Sequence, residues 1–286
     1  MPAPSQSLKE KLNAGSPLLG SFVFSPDPGI PEVYAEAGFD FVIIDMEHAL
    51  NDVRSVLAHL RSCAASGIGA VVRLGNATLA DAPRLLDAGA QGIMLPHLGL
   101  PGSGAAEALA SLRYWPAGTR PTCTGVPAAG FGLADFAATV ARSNRDVLTI
   151  GLIEDRACVE AIDEVLEGAG VDWVMPGPAD LATSLGVHGE LRHPAVTAAV
   201  ATSIAAARRR GIPVGVYIND PAEIAAWTDK GVRFYVYSID YKILAKTLRA
   251  AVLGCREQLA VTAGAASLGG KTLHTHAISI DNNIRA

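Results

Sequence analysis

Short apolar runs rich in β-branched residues alternate with amphipathic stretches along most of this 286-residue chain. Each run is too short and too rich in Val and Ile to favour a helix, and it predicts a strand that is buried on both faces. The predicted strands lie at 20–24, 40–46, 69–74, 92–98, 147–153, 172–177, 214–218 and 233–239. About eight strands that alternate with helices close most simply into a (β/α)8 barrel, the α/β fold known as the TIM barrel.

The segments between the strands support a single barrel domain. The phrases EAGFD, DAGAQG, GAGVDW and DKGVRF each place a glycine where a left-handed cap would end a helix before the next strand. The stretch 114–146 is longer than an ordinary connection, and we expect a lid or a subunit contact there. We predict a barrel over residues 1–255 and a C-terminal tail over 256–286, which is poor in large hydrophobic residues.

Composition and charge exclude several classes of function. Half of the residues are hydrophobic and 18% are charged, a balance that argues against a disordered chain. No apolar run approaches the ~20 residues that a membrane span needs, and the first residues lack a signal peptide's apolar stretch, so a cytoplasmic protein is predicted. The net charge of -5 offers no cationic field for nucleic acid. Small molecules are therefore the expected partners.

The four cysteines give no sign of a structural metal or of disulfide bonds. They lie far apart in the sequence and form no C-x-x-C pair, which argues against a zinc cage and against a disulfide framework. We expect them to be small buried hydrophobic residues.

Reactive side chains follow four of the predicted strands, and in a barrel such strand ends converge on one mouth. They are Asp45, Glu47 and His48 in IIDMEH, Arg73 in VVRLG, Glu154 in GLIEDR and Asp180 in MPGPADLA. Two carboxylates on neighbouring strands are the minimum protein ligand set for a hard divalent cation that keeps positions open for water and substrate. An arginine fork suits a carboxylate or an enolate.

Each of these residues also has a structural interpretation. Asp45 and Glu47 could cap the next helix, and Arg73 could be an ion-pair partner in the framework. Asp180 could simply complement a helix dipole. Glu154 favours a ligand role most, because an unpaired carboxylate after an apolar run is costly to bury. His97 also follows a predicted strand, but it is left outside the predicted set.

Six motifs occur in one order along the chain at the spacing of a barrel: IIDMEH, VVRLG, LLDAGAQGIMLP, RYWPAGTR, GLIED and GPADLA. In these motifs the chain resembles the 4-hydroxy-2-oxoheptanedioate aldolase family of class II pyruvate aldolases, which includes 2-dehydro-3-deoxyglucarate aldolase. The similarity runs through about residues 18–250. One such motif is weak evidence, whereas six in order are specific.

The resemblance implies a metal-dependent aldehyde-lyase that acts on a 2-oxo acid and an aldehyde. It also implies an oligomer, usually a hexamer in which the subunits exchange helices. The implied roles cover a metal, a substrate and proton transfer. They are Glu154 and Asp180 as ligands of Mg2+, Mn2+ or Co2+, Arg73 on the keto oxygen, His48 in acid–base work with Asp45 orienting it, Asp87 reaching a neighbouring subunit's site, and the backbone of Gly177, Pro178 and Ala179 on the substrate carboxylate.

The chain departs from the family's pattern at two positions. Leu152 stands where the family commonly has Gln, and the Arg-Gly that follows the PAG turn is Arg120-Pro121 here. Side chains alternate along a strand, so Leu152 should lie on the same side as Glu154 and border the substrate. We therefore expect a less polar acceptor or a bulkier 2-oxo acid than the relatives use.

These residues support enolate chemistry without a Schiff base. A 2-oxo acid could chelate the metal while Arg73 stabilises the enolate, and neutral His48 could take the proton of the C4 hydroxyl. Lys230 and Lys242 fall on predicted helices, away from the strand ends. Two alternatives stay open: a lyase, decarboxylase or hydrolase acting on another 2-oxo acid, and a non-catalytic barrel. The joint presence of His48, Arg73 and the two carboxylates argues against the second.

Overall fold

The computed structural model describes residues 7–168 and 170–268, and its centre is one sheet of parallel strands. The eight strands are β1 (Leu18–Val23), β2 (Phe41–Asp45), β3 (Gly69–Arg73), β4 (Gly92–Leu95), β5 (Leu148–Ile153), β6 (Trp173–Pro176), β7 (Gly215–Ile218) and β8 (Phe234–Ile239). Each lies within a residue or a few of its predicted place. The β-branched runs are therefore confirmed as the buried strands of the fold.

Helices occupy the connections between the strands. They are α1 (Leu8–Asn13), α2 (Gly29–Glu36), α3 (Val53–Ser66), α4 (Ala82–Ala88), α5 (Ala105–Ala110), α6 (Phe136–Asp146), α7 (Arg156–Glu160), α8 (Ile162–Gly168), α9 (Pro178–Ser184), α10 (Pro194–Arg209), α11 (Glu223–Thr228) and α12 (Asp240–Leu268). The long connection 114–146 holds a 3-10 helix at Pro127–Gly132 and then α6. Among the described residues no helix has the length and the apolar character to cross a bilayer.

The sheet closes on itself almost completely. Each strand pairs in parallel with its neighbour in the order β6-β5-β4-β3-β2-β1-β8-β7, so β1 and β8 lie side by side. A single parallel bridge between Val174 and Val214 connects the two outer strands of that order. The predicted (β/α)8 TIM barrel is confirmed.

The barrel interior is filled by aromatic rings. Trp173 stacks on Phe234 with ring centroids 4.0 Å apart, and Phe41 meets Trp173 edge-on at 5.8 Å. Two glycines make room for these rings. A Cβ on Gly20 would lie 2.3 Å from the Phe41 ring, and one on Gly215 would lie 2.5 Å from Trp173 Nε1. The interior is thus a packed core, as in other barrels of eight strands.

The predicted helix ends are confirmed by backbone geometry. The glycines of the four phrases EAGFD, DAGAQG, GAGVDW and DKGVRF have the positive φ that such caps require. They are Gly38, Gly89, Gly170 and Gly231. The expectation for the cysteines was half right: Cys63 and Cys158 are buried, whereas Cys123 and Cys255 are exposed because they lie in a surface connection and on α12.

The chain divides into two compact units between Tyr241 and Lys242. The first unit contains the barrel and every residue of the candidate site. In the second unit α12 continues past residue 255 to Leu268, and residues 269–286 of the predicted tail lie outside the described residues. The predicted boundary at 255 stays a prediction.

Candidate active site

The predicted reactive residues gather at one end of the barrel. Asp45 and Arg73 are the last residues of β2 and β3, His48 follows β2, and Glu154 follows β5. Asp180 lies in the first turn of α9, directly after β6. Because all eight strands run in parallel, these carboxyl-terminal ends share one mouth.

Asp45 is fully buried and holds two neighbouring elements together. Its Oδ1 accepts a hydrogen bond from Arg73 Nε at 2.6 Å, and its Oδ2 accepts one from the backbone N–H of His48 at 2.9 Å. The same carboxylate accepts a weaker bond from the Glu47 N–H at 3.2 Å. Asp45 therefore fixes the Arg73 guanidinium and, through the backbone, the loop that carries the exposed imidazole of His48.

Arg73 is held from three sides. Its guanidinium carbon lies 4.6 Å from the centroid of the Phe22 ring, a distance at which cation–π attraction operates. Its Nη1 lies 3.3 Å from Glu47 Oε2. Burial raises the pKa of Glu47, and the Arg73 charge opposes that rise. The arginine is consequently preorganised before any substrate arrives.

Glu154 is a buried carboxylate whose ion-pair partner among the described residues is His97, with Nδ1 3.9 Å from Glu154 Oε2. It is only 4% exposed, and its Oε2 accepts the backbone N–H of His97 at 3.1 Å. Burial, and to a smaller extent the charges of Glu47 and Asp180, raise the pKa of Glu154 to about 7, against the opposing effect of the His97 N–H hydrogen bond and charge. A cation at this point would remove both penalties.

His97 and Asp155 lie outside the predicted set but belong to the same mouth. His97 Nδ1 lies 2.9 Å from Asp155 Oδ2, and the residue adopts a left-handed backbone with φ of 53°. Burial lowers the pKa of His97, but the hydrogen bond to Asp155 and the charges of Asp155 and Glu154 outweigh it, so the pKa is raised. Their positions directly after β4 and β5 could have identified both residues as candidates for the mouth.

The loop between β6 and α9 leaves space around Glu154. A Cβ on Gly177 would lie 2.8 Å from Glu154 Cγ, so a glycine is required at this close approach. The Gly177 N–H already bonds the Ile153 carbonyl at 2.9 Å, and Pro178 has no N–H. Of the three residues expected to hold a carboxylate, Ala179 is the remaining donor.

The donor set suits a divalent cation. Glu154 and Asp180 offer hard oxygen ligands on adjacent elements, and the charge of Asp180 contributes to the raised pKa of Glu154. No group of three or more His, Cys, Asp or Glu side chains within 7–168 and 170–268 forms a complete metal cage. Two protein carboxylates would leave positions for water and substrate oxygens, which is the pattern of a catalytic site.

Two of the predicted residues do not reach the surface of this mouth. Leu152 points into the barrel interior, buried with Met175, its partner across the strand pair. Asp87 lies at the end of α4, near the opposite end of the barrel, where it accepts a 2.6 Å hydrogen bond from Arg120. The Arg120 guanidinium stacks over Tyr114 at 4.5 Å. Asp87 thus has no access to the mouth of its own chain.

A preorganised arginine beside carboxylates at the mouth of a parallel barrel can stabilise an enolate, the intermediate that many carbon–carbon lyases form. The chain belongs to the HpcH/HpaI aldolase/citrate lyase family, whose model matches residues 18–246. The predicted family and enzyme class are confirmed.

Named relatives agree with that assignment. The chain is 34% identical over 249 residues to a hydroxypyruvate/pyruvate aldolase of Roseovarius nubinhibens, covering 87% of this chain and 96% of that one. It is 30% identical to a 4-hydroxy-2-oxo-heptane-1,7-dioate aldolase of Salmonella arizonae over 90% of this chain and 98% of the other. The solved HpcH/HpaI aldolase of Desulfitobacterium hafniense superposes with a TM-score of 0.82 at 30% identity, over 88% and 98% of the two chains.

Proposed function

We propose that this protein is a metal-dependent class II pyruvate aldolase that joins a pyruvate enolate to an aldehyde and cleaves the resulting 4-hydroxy-2-oxo acid. One observation carries the proposal: Arg73, fixed by the buried carboxylate of Asp45, shares a mouth with Glu154, a buried carboxylate whose pKa is raised by burial and by neighbouring carboxylates. A 2-oxo acid enolate needs a fixed positive charge, and a carboxylate that can bind a metal cation, close to its oxygens.

Glu154 and Asp180 would hold the metal, with Mg2+, Mn2+ or Co2+ as the ions that oxygen ligands suit. When bound, such a cation supplies Lewis-acid stabilisation of negative charge on the substrate oxygens. The Ala179 N–H, in the first turn of α9, would bind the substrate carboxylate.

Proton transfer and charge stabilisation fall to two side chains. The Arg73 guanidinium donates to the keto oxygen and stabilises the negative charge that develops there when the C3–C4 bond breaks or C3 loses a proton. His48 has a side chain 59% exposed at the mouth, which leaves its imidazole accessible to take the proton of the C4 hydroxyl in cleavage. Asp45 keeps both groups in place through the contacts described above.

The proposal is tested by exchange of the methyl protons of pyruvate in D2O, followed by 1H NMR with purified protein and Mg2+. We expect exchange that requires both protein and metal, loss of exchange in Glu154→Gln, and unchanged exchange in Glu160→Gln. Glu160 is a matched control because its exposed carboxylate pairs with Arg156 outside the mouth. Pyruvate binding without exchange would favour a non-catalytic barrel, and decarboxylation of oxaloacetate without aldol cleavage would favour the decarboxylase alternative.

Three further properties are part of the proposal. The acceptor would be less polar, or the 2-oxo acid bulkier, than in relatives with Gln at position 152; Leu152 belongs to the apolar cluster that packs below the mouth. An oligomer, a hexamer by family resemblance, would let Asp87 serve a neighbouring subunit, and exposed apolar residues on α12 support association. They include Leu244, Leu248, Val252 and Leu259. A cytoplasmic location is in keeping with the sequence.

A further inference from the structure

The side of the mouth formed by β7, β8 and β1 differs from the catalytic side. Four apolar side chains line it at the carboxyl-terminal ends of these strands, and we call them the apolar wall: Phe22, Phe24, Tyr217 and Ile239. The Phe22 ring lies 6.4 Å from the Phe24 ring and 6.3 Å from the Tyr217 ring. Phe24, Tyr217 and Ile239 are only partly buried, so they form the upper surface of the interior cluster.

The apolar wall lies on the opposite side of the mouth from Glu154. In the barrel order β1 lies four strands from β5, so Phe22 and Phe24 are across the mouth from Glu154. The charged groups that suit a carboxylate and a keto oxygen follow β2 to β6. A 2-oxo acid bound by those groups would have the ends of β7, β8 and β1 as the opposite side of the mouth, towards which its carbons from C3 onward could extend.

The apolar wall offers little to a charged or hydroxylated chain. The polar side-chain atom of the wall is the Tyr217 hydroxyl, which donates a hydrogen bond to Asn219 Oδ1 at 3.0 Å. Polar groups placed against the Phe24 ring or the Ile239 side chain would lose water without gaining hydrogen bonds from those side chains. An aryl or branched alkyl group would instead bury apolar surface and could stack edge-on against the rings.

We infer that the apolar wall selects substrates with an aromatic or branched apolar group beyond C3. The preferred acceptor is then an aldehyde that carries an aryl or branched alkyl group, and not a sugar or acid aldehyde. This inference rests on the proposed function. The reaction is redox-neutral: C3 of pyruvate loses a proton, the C3–C4 bond forms as the π bond of the aldehyde carbonyl breaks to give the C4 alkoxide, and that oxygen takes up one proton to give the 4-hydroxy-2-oxo acid.

The test compares two aldehydes, phenylacetaldehyde and glyceraldehyde, with pyruvate and Mg2+. The measured quantity is the ratio of their kcat/KM values in the wild type and in two variants, Phe24→Ala and Tyr217→Ser. When this ratio is compared between wild type and variant, the intrinsic reactivities of the two aldehydes cancel. We expect each variant to lower the ratio by about tenfold, the effect of losing one apolar pocket contact.

Phe39→Ala is the matched control. Phe39 is also half-buried in an edge-to-face aromatic pair, with Tyr34 at 4.9 Å, but it precedes β2 at the opposite end of the barrel. This variant should leave the ratio unchanged. If the ratio is also unchanged in both wall variants while pyruvate still exchanges its methyl protons, the inference is overturned and the proposed function stands. If wild-type protein shows no metal-dependent exchange, both fall.

Discussion

The two sides of the barrel mouth are built from opposite chemistry. The ends of β2 to β6 carry Asp45, Arg73 and Glu154 together with two histidines, whereas the ends of β7, β8 and β1 carry the apolar wall. A cation–π contact joins the two sides, because Phe22 of the wall lies under the Arg73 guanidinium. Residues for the reaction and residues for substrate selection can therefore reside on different strands of one barrel. Substitutions on one side can then change substrate preference without changing the catalytic groups on the other.

The largest effect on activity is expected from removal of the metal from the charged side of the mouth. We predict that EDTA abolishes pyruvate exchange and aldol cleavage, and that Mg2+, Mn2+ or Co2+ restores them, because Glu154 and Asp180 would lose the charge they bind. Borohydride should trap no pyruvate adduct, as measured by intact mass. Circular dichroism before and after chelation controls for unfolding. Activity that survives exhaustive chelation would contradict the prediction.

The next largest effect is expected from Arg73→Lys. An ammonium keeps the charge but cannot hold Asp45 Oδ1, approach Glu47 and stack on Phe22 at once. Loss of a preorganised donor at a developing oxyanion lowers kcat by on the order of 100-fold. The measurement is kcat for cleavage of a 4-hydroxy-2-oxo acid.

Arg113→Lys is the control for that substitution. Arg113 also pairs with a carboxylate, Asp172 at 3.0 Å, but Asp172 precedes β6 at the far end of the barrel. We expect its kcat to remain close to the wild-type value. A near-normal Arg73→Lys enzyme would make Arg73 a structural ion-pair residue.

The sequence predicts the charged side far better than the apolar one. Strand ends could be located from β-branched runs, and Asp45, Arg73 and Glu154 are rare enough after such runs to be noticed. Phe22 and Tyr217 are ordinary strand residues, and only closure of the barrel, with β1 beside β8, brings them together. The bond between His97 and Asp155 depends on a left-handed residue that no local pattern specifies.

Leu152→Gln tests whether the interior below the mouth contributes to substrate choice. Leu152 is buried in the interior cluster that also contains Phe22. A Gln there adds a polar group on the side of Glu154, so the ratio of kcat/KM for a polar to an apolar aldehyde should rise by about tenfold, within the range of one changed pocket contact. Ile153→Val, on the outward face of the same strand, should leave the ratio unchanged. An unchanged ratio in Leu152→Gln would mean that Leu152 only packs.

The last prediction concerns stability and not turnover, and the effect should have opposite signs on the two sides of the mouth. Phe24→Ala removes apolar burial and should lower the Tm. Glu154→Gln should raise the Tm of metal-free protein at pH 8, because burial raises the pKa of Glu154 from 4.5 to about 7 in the folded chain. A carboxyl whose pKa is higher in the folded chain than in the unfolded chain favours folding fully at pH values below its pKa in the unfolded chain. That contribution to stability is lost as the pH rises through 7.

Gln does not titrate, so the advantage of Glu154→Gln should grow between pH 4.5 and 7 and then level off, up to ~3 kcal/mol or several degrees of Tm. The measurement is thermal unfolding of both proteins in EDTA at pH 5 and pH 8, with the exposed-site variant Glu160→Gln as control. An equal Tm difference at the two pH values would show that Glu154 is ionised throughout and neutralised within the chain. In that case its carboxylate would not need a cation, and the division of the mouth into a metal-binding side and an apolar side would lose its main support.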